Sequence, residues 1–84
     1  MDRLEKIEMG LQAASLLRSL RDRDIREAIR LLEKARFDRA TWQLLPHPDT
    51  YEGLLPLECL TWDEIAHRRV LAVADDVEAA CRVL

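Results

Sequence analysis

Four side chains in this sequence could serve as soft metal ligands or as parts of a nucleophilic site: His47, Cys59, His67 and Cys81. A structural zinc site needs four such ligands at short, paired spacings, such as C-x-x-C or two histidines one helical turn apart. No such pairing occurs here. A thiol nucleophile needs a base within hydrogen-bond reach and a third group to orient that base. Cys59 with His67, or Cys81 with His47 and Asp49, can be written down, but nothing local builds a nucleophile elbow or an oxyanion hole. The plainer reading is two satisfied or solvent-facing histidines and two small, buried, free cysteines. The carboxylate pairs Asp63–Glu64 and Asp75–Asp76 would need burial or a charged neighbour to become useful acids. Both stand where helix N-termini attract Asp and Glu anyway. Gly10 and Gly53 are isolated, so no phosphate-cradling loop is present. The sequence therefore points away from an enzyme, and no metal or cofactor is expected.

The elements that would have to position such residues are helical. Leu4, Ile7, Leu11, Ala14 and Leu17 recur every three or four residues, and Met9, Ala13, Leu16 and Leu20 lie beside them. Together they predict a helix over 2–20 with an apolar face too broad for one neighbour. Gly10 interrupts it at a cost of about 1 kcal/mol relative to Ala, unless another group needs the space. A hinge follows near Leu20–Asp24, where Ser19, Asp22 and Asp24 are each able to cap a helix. A second helix over 23–40 carries the stripe Ile25, Ala28, Ile29, Leu32 and Ala35, with Arg/Glu pairs at helical spacing outside. The first two helices read as an antiparallel hairpin.

Residues 41–60 hold Pro46, Pro48, Pro56 and Gly53, which rule out a continuous helix. They are nonetheless apolar, with Trp42, Tyr51 and several leucines, so the connector is expected to strap across the helices. Thr61 and Glu64 match a capping box, and Leu60 can staple onto Ile65, so a third helix is expected over 61–83. Ala66, Val70, Val73, Val77, Ala80 and Leu84 give it a heptad-like seam. Asp75–Asp76 offers a kink or a fourth helix start. The expectation is one all-α domain over 1–84, a bundle of three or four helices.

Composition bounds the function. The 84 residues are 49% apolar and 35% charged, with 13 Lys+Arg against 16 Asp+Glu. That apolar share is too high for a disordered tail. No run approaches the roughly 20 apolar residues that span a bilayer, and residues 1–10 carry no apolar signal core. A reducing cytoplasm is the expected compartment. Residues 1–40 hold ten basic and eight acidic side chains, and residues 41–84 three and eight. The net charge of −3 argues against a protein built to neutralise phosphates.

One short stretch bears on nucleic acid. Leu60-Thr61-Trp62-Asp63-Glu64-Ile65-Ala66 resembles the first helix of helix-turn-helix domains, which implies a DNA-binding regulator using residues 60–84. The resemblance covers seven residues. The Gly-containing turn of that motif is missing, since His67, Arg68, Arg69 and Val70 follow. Asp75, Asp76 and Glu78 then occupy the would-be recognition segment, where phosphates repel them. DNA binding is the alternative reading, and a protein is the expected partner.

Trp, Tyr and Arg most often dominate interface energetics. Phe37, Trp42, Tyr51 and Trp62 all fall between residues 37 and 62. The expected function is a non-catalytic interaction module, an adaptor, inhibitor or assembly subunit, that occludes or bridges a partner surface. Its contact residues would be Trp42, Tyr51 and Trp62 with the seam Val70, Val73, Val77 and Leu84, and Arg26 and Arg30 as a polar rim. A homodimer through the third helix is a variant of the same idea.

Overall fold

The computed structural model describes residues 2–43, 45 and 56–84, with the side chains of 56–65 outside the described residues. The fold is an all-helical bundle, and no strand occurs among the described residues. Among the described residues four helices follow one another: α1 (Arg3–Arg18), α2 (Asp22–Lys34), α3 (Arg39–Trp42) and α4 (Pro56–Arg82).

Helix α1 is the middle element, packed against both α2 and α4. Asp2 caps it, its carboxylate accepting from the Glu5 N–H at 2.8 Å. Its buried face is made of Gly10, Ala13, Ala14 and Leu17. Those side chains are mostly small, which lets two helices approach one. The outer part of the predicted stripe does not follow: Leu4 is 66% and Leu11 48% exposed.

The hinge is built differently from expectation. Leu20 adopts a left-handed φ of 60°, and Arg21 holds the N-cap position of α2 with no side-chain hydrogen bond. The Ser19 hydroxyl lies 2.8 Å from the Leu16 carbonyl and 2.6 Å from the Asp24 carboxylate, and accepts from the Arg21 N–H at 3.2 Å. Asp24 thus steadies the turn through Ser19 instead of capping the helix. Replacing Arg21 by Asn is expected to stabilise the fold by about 1 kcal/mol, because Asn satisfies an orphan N–H of the first turn. Chemical denaturation measures this directly.

Helix α2 buries Ile25, Ala28, Leu31 and Leu32. It stops at Lys34, six residues short of the expected limit at 40. Arg36 turns left-handed at φ 57°, its N–H donates to the Glu33 carbonyl at 3.1 Å, and the Phe37 N–H donates to the Leu32 carbonyl at 3.0 Å. This double closure is a Schellman motif, which commonly carries glycine at the Arg36 position and an apolar residue after it. Phe37 supplies that apolar contact and is buried in the core. The Lys6 ammonium donates to the Arg36 carbonyl at 3.2 Å and lies 5.1 Å from the Phe37 ring centre. Because a left-handed φ is costly for a residue with a Cβ, Arg36→Gly is expected to stabilise by about 0.5–1 kcal/mol.

The chain then folds a further helix the sequence reading did not separate. Asp38 caps α3 by accepting from the Ala40 N–H at 3.0 Å. The fourth helix is therefore α3, and Asp75–Asp76 starts nothing, since α4 runs through both residues. Helix α4 also begins five residues before Thr61, at Pro56. Proline fits the first helical position, where its missing N–H has no partner to lose. The Thr61–Glu64 box and the Leu60–Ile65 staple involve side chains outside the described residues, but the backbone there is already helical.

Helix α4 runs antiparallel to α1. The Cys81 thiol lies 3.8 Å from the Ile7 carbonyl, while Arg18, at the other end of α1, pairs with Asp75 and Glu78. Val70, Val73, Ala74, Val77 and Cys81 join the residues of α1 and α2 in one apolar core.

The Arg18 clamp ties α1 to α4 on the surface. Arg18 donates to Glu78 and, at 2.8 Å, to Asp75. The hydrogen bond from Arg18 holds the Glu78 carboxyl below its ordinary range, and Arg82, 3.9 Å away, adds to the effect. A lowered carboxylate contributes stability that is complete above the ordinary carboxylate range. The contribution is lost as pH falls through the lowered value. Arg18→Met is therefore expected to lower the thermal midpoint at neutral pH and to have little effect at strongly acidic pH. Because the clamp is exposed, 1 M salt should shrink the difference.

Candidate functional site

An open-sided hollow of about 440 Å³ lies between α2 and the short helix α3, which itself packs against α4. Arg26, Ile29 and Glu33 line it from α2; Arg39, Trp42, Gln43 and Leu45 line it from α3 and the residues after it. Spacings of three and four put the α2 residues on one side of that helix, outside the buried stripe. On the other wall, the short helix presents Arg39 and Trp42 one turn apart. Trp42 is half-buried, and its indole N–H points to the Phe37 carbonyl at 3.5 Å. The Arg39 guanidinium lies 5.7 Å from the Trp42 ring centre, within cation–π range. Ile29, Trp42 and Leu45 make an apolar floor that packs on the core. Its volume lies in the range of small-ligand and anchor-residue sites.

The residues expected to face a partner divide into four groups. Trp42 and Arg26 meet in the hollow. Arg30 lies on the exposed side of α2 and is bonded to Glu27 at 3.0 Å, which holds the Glu27 carboxyl below its ordinary range. Val70, Val73 and Val77 are corrected outright: all three are buried against the chain's own helices, and Leu84 packs partly against the same core. The seam is filled from within because α1 offers it a face of small residues. A dimer through that seam would have to open the core. Tyr51 and the Trp62 side chain lie outside the described residues.

The helix-turn-helix resemblance also meets a correction. Residues 60–82 form one unbroken helix, so no turn separates a first helix from a second. His67, Arg68 and Arg69 are exposed along it.

Of the four soft-ligand candidates, His67 and Cys81 have described side chains. Cys81 is buried, and burial pushes its thiol up, with Glu78 adding to the shift and Lys6 opposing it. A thiol held protonated is a poor nucleophile. His47, Asp49 and Cys59 lie outside the described residues, so each nucleophile pairing has a member there. Among the described residues, no three His, Cys, Asp or Glu side chains converge as a metal site would require. Nor is any described helix long and apolar enough to cross a membrane.

Ile29, Glu33, Arg39, Gln43 and Leu45 were not anticipated as site residues. For Ile29 a signal existed, since it stands at the margin of the α2 stripe beside Arg26 and Glu33. Nothing in the sequence marked Arg39 and Leu45, because the reversal of the chain at Arg36 brings them there. No family model, curated protein or solved structure matches the chain.

Proposed function

We propose that the chain is a small non-catalytic protein–protein interaction module that occludes or bridges a partner surface, with the α2–α3 hollow as its contact site. One observation carries this reading: Trp42 and Arg26, residue types that dominate interface energetics, line the same open hollow over an apolar floor. Exposed Leu4 and Leu11, one heptad apart on α1, add apolar surface outside the core.

The test uses the full chain as bait in the native host, as wild type and as Trp42→Ala. A captured protein is then purified and titrated against both. Anchors of this kind contribute at least about 2 kcal/mol, so Trp42→Ala should weaken binding by about thirtyfold while the helical circular dichroism is kept. Trp42→Phe, which retains an aromatic ring, serves as the folding control and should lose less. Equal affinity for wild type and both variants would remove the hollow from the reading.

A further inference from the structure

We propose that the depression formed by Lys6, Lys34, Ala35 and Arg36 binds a phosphate monoester dianion, carried by a small molecule or by a phosphorylated side chain. The depression holds about 460 Å³. It shares no lining residue with the α2–α3 hollow, so it does not depend on the interaction-module reading. Three cations and one alanine line it, and among the described residues no carboxylate does. Nor does any described carboxylate pair with Lys6, Lys34 or Arg36. The Lys6 ammonium donates to the Arg36 carbonyl at 3.2 Å and stands over the Phe37 ring. Those contacts hold the ammonium in place, and neither one neutralises it.

Arg36 supplies the second observation. It holds a φ of 57°, where a Cβ is costly and glycine is customary. The helix dipole accounts for Lys34 at the end of α2, but not for a strained arginine beyond it. What that strained position delivers is a guanidinium beside two ammonium groups. Bare carbonyls at a helix C-terminus would repel an anion. Here they are occupied: Leu31, Glu33 and Leu32 accept from the N–H groups of Ala35, Arg36 and Phe37, and the Arg36 carbonyl accepts from Lys6. A tetrahedral dianion can use all three cations, two oxygens on the guanidinium fork and the rest toward the ammonium charges. A carboxylate brings half the charge and only two oxygens. A nucleobase has nothing to stack on, since no described aromatic side chain lines the depression.

Titration of the full-length protein with sodium phosphate at constant ionic strength, followed in ¹H–¹⁵N correlation spectra, tests the assignment. Saturable shifts should centre on the amides of Lys34, Arg36 and Phe37. Arg36→Gly and Lys34→Gln should each weaken phosphate binding by about fivefold, the worth of one exposed charge pair. Both side chains are exposed, so the variants keep the fold. Arg36→Gly should unfold at higher urea than wild type while binding phosphate worse, which separates loss of the site from loss of structure. Affinity should fall from pH 7.5 to 5.5 as phosphate loses its second charge near a pKa of about 6. Sulfate, doubly charged throughout, should bind without that dependence. A short phosphoserine peptide that binds more tightly than inorganic phosphate assigns the dianion to a modified side chain; one that binds no more tightly assigns it to a small molecule. Acetate binding as tightly as phosphate, affinity unmoved by both variants, or shifts spread evenly over all basic residues would overturn the proposal.

Discussion

Val77→Asp is expected to abolish the cooperative fold. Val77 is fully buried between α4 and the hairpin, among the largest side chains with no exposed surface. The substitution removes a buried aliphatic group, which contributes about 1.5–3 kcal/mol. It also places a carboxyl group where no described cation reaches the core. An unpaired buried charge costs several kcal/mol, and protonation relieves only part of that. Total stability for a chain of this length is roughly 4–12 kcal/mol, so the loss removes most or all of it. Far-UV circular dichroism and urea unfolding give the answer. If the valine seam were instead an outer, partner-facing surface, the variant would stay helical and lose only association. A folded, monomeric Val77→Asp protein would therefore contradict the packing described.

Gly10→Ala is expected to destabilise the protein by about 1–3 kcal/mol, against the helix-propensity trend. In an exposed helix interior, alanine in place of glycine gains up to about 1 kcal/mol. Here a Cβ at position 10 would stand 2.5 Å from the Cys81 sulfur and 2.6 Å from the tip of the Phe37 ring. The thiol can rotate away. The ring cannot move easily, since it is enclosed beneath Lys6 and held by the Schellman closure of α2. Overpacking of a dense core costs more than the propensity gain. Cys81→Ala in the same chain should recover only part of the loss, and Phe37→Leu should recover more. Urea midpoints of the three single and two double variants would show coupling of about 0.5–3 kcal/mol for such neighbours. A Gly10→Ala variant more stable than wild type would mean that α1, α2 and α4 do not meet at this point.

These two residues show how differently the sequence speaks about packing. Gly10 could be read only as a defect or as a place of close approach, because what a missing Cβ makes room for lies about thirty and seventy residues away in the chain. Val77 was legible as one of a seam, since helical periodicity determines which side chains share a face. The partner of the seam was not legible. Three wide apolar faces can be matched in several ways, and only their joint geometry decides that the small-residue face of α1 receives the valines. The same matching turns Leu4 and Leu11 outward, although their spacing is as regular as that of the residues buried beside them.

The helical class, the α1–α2 hairpin and most of the inward stripe of α2 followed from local rules that act within a few residues: periodicity, capping and charge pairing; Ile29 of that stripe instead lines the hollow, and Leu31 is buried in addition. Trp42 and Arg26 were recognised by residue type. Their meeting in one hollow was decided by the left-handed turn at Arg36, which the sequence does not signal because an arginine stands where glycine is customary. Local interactions determine which residues form a helix and which of them share a side. Which sides face one another, and which remain for something else, depends on contacts between residues far apart along the chain.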